Sequence, residues 1–357
     1  MLLFLLAAAA IWWLGRRAGW PVQARAITLG LLYVSILALT IVLPVGNGLR
    51  AALGGSTGDW ALLGILGFVV AAYRVVLVRL RARVRPENRK PETPPGAFAP
   101  GEIERYARHI VLREIGGTGQ RRLKEARVLV VGAGGLGSPA LLYLAAVGVG
   151  TIGVIDDDRV EESNLQRQVI HTDGRIGMPK VFSAEAAMRA VNPYTVVRPY
   201  NRRLTEEMAT TLVSDYDLVL DGCDDFATRY AVNRACIAAG IPLVHGALSQ
   251  WEGQVSVFAP HAGAPCYRCL FPEPPASGLA PTCAEAGVLG PLPGLVGSLM
   301  AAEAIKELTG AGESLRGRMA IHDALYGENR TIRIARDPAC PDCGDVAPGL
   351  ANRSGNA

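Results

Sequence analysis

The chain has 357 residues, half of them hydrophobic and only 19% charged, with a mean hydropathy of +0.24. Residues 1–100 hold 11 Lys and Arg against 3 Asp and Glu, while residues 101–357 hold 25 against 29, so the net charge of +4 joins a basic, apolar segment to a mildly acidic globular one. This division excludes a single soluble domain, a disordered chain and a basic nucleic-acid binder, because the cations flank apolar runs instead of forming a face on the globular part.

Residues 1–85 read as a transmembrane segment with two or three spans. Positions 27–45 run 19 residues without a charge, about 28 Å as a helix and close to the thickness of bilayer hydrocarbon. A further span is expected at 60–78, where Arg74 lies near the C-terminal end and can extend to the headgroups. The stretch 2–15 is shorter and ends in Trp12, Trp13, Arg16 and Arg17, so both a span and an interfacial helix remain open for it. Its charges follow the apolar run, the reverse of a secretory signal. Arg16, Arg17 and Arg25 precede the second span and Arg79 to Lys90 follow the third, with Arg50 alone between them. Cations retained on the inner side give a multi-pass protein of the inner (cytoplasmic) membrane, with everything after residue 80 in the cytoplasm. Residues 86–100, with five prolines, read as an extended linker.

From residue 101 the pattern alternates helix and strand. The strand RVLVV, 127–131, runs into GAGGLG, 132–137, and then into an apolar helix. In that context Gly132, Gly134, Gly135 and Gly137 permit a tight turn and a close approach of phosphate to a helix N-terminus. A second strand, TIGVI, ends at Asp156, 19 residues after Gly137, where a carboxylate can accept ribose hydroxyls. These features alone do not separate a dinucleotide from ATP. Asn164, Arg167 and Lys180 follow within 25 residues of Asp156 and supply more phosphate-handling groups than a dinucleotide needs, which favours a triphosphate. The strand in YDLVLDGCDD ends in Asp221, Asp224 and Asp225 at the edge where such folds bind ligands, and oxygen donors there suit Mg2+ held through phosphates.

All seven cysteines lie beyond residue 220. Cys266-x-x-Cys269 and Cys340-x-x-Cys343 have metal spacing, and four thiolates close a tetrahedral structural Zn2+ site better than they form disulfides in the cytoplasm. Cys223 and Cys236 read as core thiols, and the five scattered histidines as structural.

GAGGLG, Asp156, SNLQRQ, Lys180, DGCDDFATRY, PCYRC, the stretch from TCAEAG to AAEAIK, and PACPDC occur in this order over roughly 102–345. Together they resemble the HesA/MoeB/ThiF family, the ubiquitin-activating-like adenylyltransferases, most closely the molybdopterin-synthase sulfurylase branch. The resemblance implies a Rossmann-like α/β fold with a mixed sheet over 101–345, followed by a flexible tail at 346–357. It also implies ATP-dependent adenylation of the Gly-Gly terminus of a small ubiquitin-like sulfur-carrier protein, before thiocarboxylation for molybdopterin- or thiamine-type biosynthesis. Asp156 would hold the ribose, Asn164, Arg167 and Lys180 the phosphates, and Asp224 the Mg2+. Arg108 matches an arginine that enters the partner subunit's site, so a homodimer is expected. Cys283 matches a cysteine that links covalently to the carrier in some members, and a catalytic thiol and a bystander are both left open. Asp225 departs from the family's usual Asn, and no sulfurtransferase domain follows Cys343, so a separate sulfur donor is expected. The rival readings are a membrane-anchored scaffold of the same fold and, more distantly, a NAD-dependent oxidoreductase.

Overall fold

The computed structural model describes residues 2–44, 46–84, 97–275, 286–347 and 349. The chain divides into two compact units, Met1–Arg89 and Lys90–Ala357. The linker expected at 86–100 and the tail at 346–357 fall largely outside the described residues, as does Cys283.

The first unit comprises helices α1 (Leu2–Arg17), α2 (Val22–Val42), α3 (Gly48–Leu53) and α4 (Thr57–Val84). Trp60 organises it: its ring meets Phe4 edge-on at 5.3 Å, its indole N–H donates to the Gly54 carbonyl at 2.9 Å, and its own carbonyl accepts the Tyr33 hydroxyl at 2.7 Å. Arg17 and Arg25 lie over the rings of Trp13 and Trp12 at 4.2 and 4.8 Å. Two or three spans were expected, but among the described residues one helix, Gln23–Val42, is long and apolar enough to cross a membrane by length and composition. Helix α1 has 16 residues, about 24 Å and short of the hydrocarbon thickness. Helix α4 covers the third expected span, but the side chains at 71, 75 and 78–84 are outside the described set.

The second unit begins earlier than the expected boundary at 101. Ala99 is buried and its N–H donates to the Glu102 carboxylate at 2.8 Å, capping α5 (Pro100–Ile110), while Lys124 of α6 (Gly116–Glu125) donates to the Ala97 carbonyl. Then follow β1 (Arg127–Val131), α7 (Gly137–Ala146), β2 (Thr151–Ile155), α8 (Lys180–Val191), β3 (Val196–Tyr200), α9 (Glu206–Val213), β4 (Leu218–Asp221), α10 (Phe226–Ala239), β5 (Leu243–Leu248), β6 (Glu252–Phe258), α11 (Tyr267–Leu270), α12 (Pro291–Thr309), β7 (Arg318–Asp323) and β8 (Glu328–Arg333).

The strands form one mixed sheet in the order β3-β2-β1-β4-β5-β6-β7-β8. The first five are parallel, and β6 to β8 add antiparallel edges. The buried run RVLVV suits the centre of such a sheet because both faces are covered. Val128 and Val130 join one core with Leu141 and Leu144 of α7, Met188 of α8 and Val296 of α12, while Leu129 and Val131 join the other with Val213 of α9 and Val232 of α10. Each fully buried Leu or Val contributes roughly 1.5–3 kcal/mol, so the alternation of one strand stabilises two layers at once. The Rossmann-like mixed α/β sheet expected from the sequence is present, and it brings the C-terminal ends of β1, β2 and β4 side by side.

Candidate active site

A cleft of about 480 Å3 opens over those strand ends, lined at its base by Val131, Ile155 and Gly222. The glycine turn forms one wall. Gly132 has φ +92°, a left-handed conformation that favours glycine, and a Cβ on Gly137 would stand 1.9 Å from the Gly132 carbonyl oxygen. The two glycines therefore let α7 start directly against the turn, with Gly134 and Gly135 facing the cleft.

Asp156 stands at the end of β2. Its Oδ2 accepts the Ala133 N–H at 2.7 Å and its Oδ1 accepts the Asp158 N–H at 2.8 Å, leaving lone pairs on both oxygens for ribose hydroxyls. Burial raises its pKa, against the opposing pull of Lys180 and the two N–H donors. Lys180, the first residue of α8, is 6% exposed and reaches the cleft with Nζ 2.7 Å from Asp158 Oδ2. Arg167 also lines the cleft, its guanidinium donating to the Ser163 carbonyl at 3.1 Å.

Asn164 is placed differently from the expectation. It is buried and does not line the cleft; its side-chain amide donates to Ser163 Oγ, and its backbone carbonyl accepts the N–H groups of Arg167 and Gln168, shaping the turn that presents Arg167. Arg108 is exposed on α5 and is likewise absent from the lining of its own chain's cleft.

The neighbouring acids separate cleanly. Asp225 is the N-cap of α10: its Oδ2 accepts the Thr228 N–H at 2.9 Å and the Thr228 hydroxyl at 2.6 Å, with Arg203 at 3.6 Å. Burial raises its pKa, but those bonds and the Arg203 charge outweigh it and hold the carboxyl below its usual range. An Asn would cap as well, so the departure at 225 leaves Asp224 unaffected. Asp224 is exposed on the cleft wall with no hydrogen bond or ion pair to its carboxylate among the described residues, which fits an oxygen donor for Mg2+.

Several lining residues were not singled out from the sequence. Arg202 and Arg203 follow β3, and Arg229 of α10 donates twice to the Cys223 carbonyl. Gln168 is 5% exposed, lines the cleft and has a buried Oε1 without a partner among the described residues. Its place in SNLQRQ was a signal, since the three-residue turn after Asn164 carries Gln168 beside Arg167. His171, read as structural, supports the site from behind: Nε2–H donates to the Ala133 carbonyl at 3.0 Å and Nδ1 accepts the Ser183 hydroxyl at 2.9 Å. Burial lowers its pKa to about 4, so the ring is neutral at pH 7 and ties the glycine turn to α8. Cys223 lines the cleft, but burial and the Asp221 charge push its thiol pKa well up and keep it protonated.

The two Cys-x-x-Cys turns meet on the α10 side of the sheet. Cys266 Sγ lies 3.8 Å from Cys269 Sγ and 3.6 Å from Cys340 Sγ, and Cys269 Sγ lies 3.5 Å from Cys343 Sγ. A disulfide needs about 2.05 Å, whereas a tetrahedron with metal–sulfur bonds of about 2.3 Å has edges near 3.8 Å. The donor set and spacing thus fit a closed four-thiolate metal site.

A family model described as the ThiF family matches residues 106–342. The sulfur carrier protein adenylyltransferase of Thermus thermophilus is 52% identical over 248 residues, covering 68% of this chain and 92% of the relative. The probable adenylyltransferase/sulfurtransferase MoeZ of Mycobacterium tuberculosis is also 52% identical, over 251 residues, covering 70% of this chain and 64% of the relative. The crystal structure of E. coli MccB with MccA-N7isoASN shares the fold, with a TM-score of 0.61 at 22% identity over 68% of this chain and 75% of that one. With its glycine turn, its cation-lined cleft and three of the four clustered cysteines inside the matched residues, the chain belongs to the ThiF family.

Proposed function

We propose that the chain adenylates the C-terminal carboxylate of a small sulfur-carrier protein ending in Gly-Gly. The observation that carries this reading is that Arg167, Lys180, Asp156 and Asp224, which has no partner among the described residues, all open onto one cleft, in a chain 52% identical over 248 residues to a sulfur carrier protein adenylyltransferase. A carboxylate oxygen of the carrier attacks the α-phosphorus of ATP, the bond from that phosphorus to the bridging oxygen breaks, and pyrophosphate leaves with the electron pair. The attacking group is already ionised, so no general base is required. Negative charge accumulates on the departing pyrophosphate, and Arg167 and Lys180, fixed before reaction, stabilise it with little reorganisation. Asp156 holds the ribose and Asp224 holds Mg2+, which when bound neutralises phosphate charge.

Zn2+ belongs at Cys266, Cys269, Cys340 and Cys343, where four thiolates leave no open position for substrate and the role is structural. Arg108 completes the cleft of a partner subunit in a homodimer, which accounts for its exposure on α5 away from its own site. The exposed apolar side chains of the first unit, among them Leu31, Leu62 and Phe68, support membrane attachment, and the cations flanking its apolar runs favour the second unit in the cytoplasm. A chain beginning at Ala97 is then expected to leave the membrane fraction and keep its chemistry; retention in that fraction would count against the first unit as the attachment.

Exchange of labelled pyrophosphate into ATP tests the main reading. It is expected only when a diglycine-tailed carrier is present, and exchange with none of the candidate carriers, by a folded and metal-loaded chain, overturns it.

A further inference from the structure

The backbone of Cys223, the residue that precedes Asp224, is gripped from both sides. The Cys223 N–H donates to Asp221 Oδ1 at 3.1 Å, and its carbonyl accepts Arg229 Nε and Nη2 at 3.1 and 2.8 Å. The Arg229 guanidinium is itself set by the Phe226 ring, 5.0 Å below it. Behind this grip, the second Asp221 oxygen accepts Nδ1–H of His245 at 3.0 Å. Asp221 and His245 are 1% and 2% exposed, and a carboxylate so deep in the core is costly unless both its oxygens are satisfied, as they are here. The His245 ring in turn packs edge-on against Tyr267 at 4.9 Å. Tyr267 lies between Cys266 and Cys269, and its N–H donates to Asn233 Oδ1 of α10 at 2.9 Å. The Asn233 amide reaches on to Asp342, between Cys340 and Cys343, at 3.0 Å. One continuous set of contacts therefore joins the four-cysteine cluster to the loop that carries Asp224.

We propose that Asp221 and His245 are positioning residues: they fix the Cys223 peptide and so aim the Asp224 carboxylate into the cleft, with Tyr267 tying them to the four-cysteine cluster. Neither side chain lines the cleft, so they act through Asp224 and not on the nucleotide itself. The inference rests on reading the cleft as a Mg2+·ATP site. It adds that a buried hydrogen bond from the β5 histidine sets how well that site holds metal, as partners behind a metal ligand commonly do.

The test uses the full chain and Mn2+ as the probe, with binding of Mn2+·ATP read by electron paramagnetic resonance and of metal-free ATP by calorimetry. His245→Phe keeps a ring against Tyr267 and removes the donor; it is expected to weaken Mn2+·ATP binding roughly tenfold while metal-free ATP binds as before. His245→Asn places an amide nitrogen where Nδ1 stood and is expected to restore most of the loss. A folded His245→Phe chain with native Mn2+·ATP affinity overturns the proposal, as does a His245→Asn chain as impaired as the Phe variant. Hydrogen exchange at the Cys223 amide of the unaltered chain needs no variant to fold: slow exchange is expected, and exchange as fast as in an exposed loop overturns the proposal. A native chain that binds no ATP overturns the nucleotide reading instead, a result distinct from a native chain that binds ATP and a variant that holds metal equally well.

Discussion

At the N-terminus of α10 two adjacent carboxylates both line the cleft, but Asp225 is taken up by the Thr228 N–H and hydroxyl, while Asp224 has no hydrogen bond or ion pair among the described residues. Asp225→Asn is therefore expected to keep both stability and turnover, and Asp225→Ala to cost about 1 kcal/mol of stability. Asp224→Asn should lower the rate of adenylation by roughly a hundredfold or more with the melting temperature unchanged, as measured by pyrophosphate exchange and calorimetry. His171 gives a pH signature. Its folded-state pKa is lowered to about 4 from 6.5, so the neutral ring contributes stability that is complete above about pH 6.5 and is lost as pH falls towards 4. Denaturant titrations between those values should show a shallower loss for His171→Gln than for the native chain; equal slopes would show that another group carries the loss. The sequence made the charged and glycine residues of the cleft legible because their spacing is local. It could not show that Asn164 turns inward, that Gln168 faces the cleft with a free acceptor, or that His171 and His245 brace the site, because those placements depend on what packs behind the loop.

Helix α10 links two features that are far apart in the chain, since its N-cap borders the cleft and its Asn233 holds both cysteine turns. The turns themselves were readable from Cys-x-x-Cys spacing, but their attachment to α10 was not, because it joins residue 233 to residues 267 and 342, far apart in the chain. Cys340→Ser should lower the melting temperature together with activity, because a closed thiolate site holds the fold and offers no position for substrate. Lost activity at an unchanged melting temperature and full metal content would assign the cluster a direct chemical role. The sheet was equally legible: RVLVV and LVLD are buried runs that only a doubly covered strand tolerates. The helices of the first unit were legible as helices; α1 stops at 16 residues, and among the described residues Gln23–Val42 is the helix that passes by length and composition.

For the whole molecule, one chain is not expected to be a complete enzyme, because Arg108 is exposed on α5 and does not line its own cleft. Mixed dimers of Arg108→Ala and Asp224→Ala chains should regain part of the activity that each homodimer lacks, one intact cleft forming per dimer; a verified mixed dimer without recovery would show that the cleft is not shared. The expectations about turnover depend on the cleft joining AMP to a protein carboxylate. Intact-mass spectrometry of a diglycine-tailed carrier after incubation with the full chain, Mg2+ and ATP tests that claim most directly. A carrier heavier by one adenylyl group, formed by the native chain, absent with Asp224→Asn and absent when the carrier's final glycine is removed, is the result predicted. An unmodified carrier alongside a folded, ATP-binding native chain would contradict it.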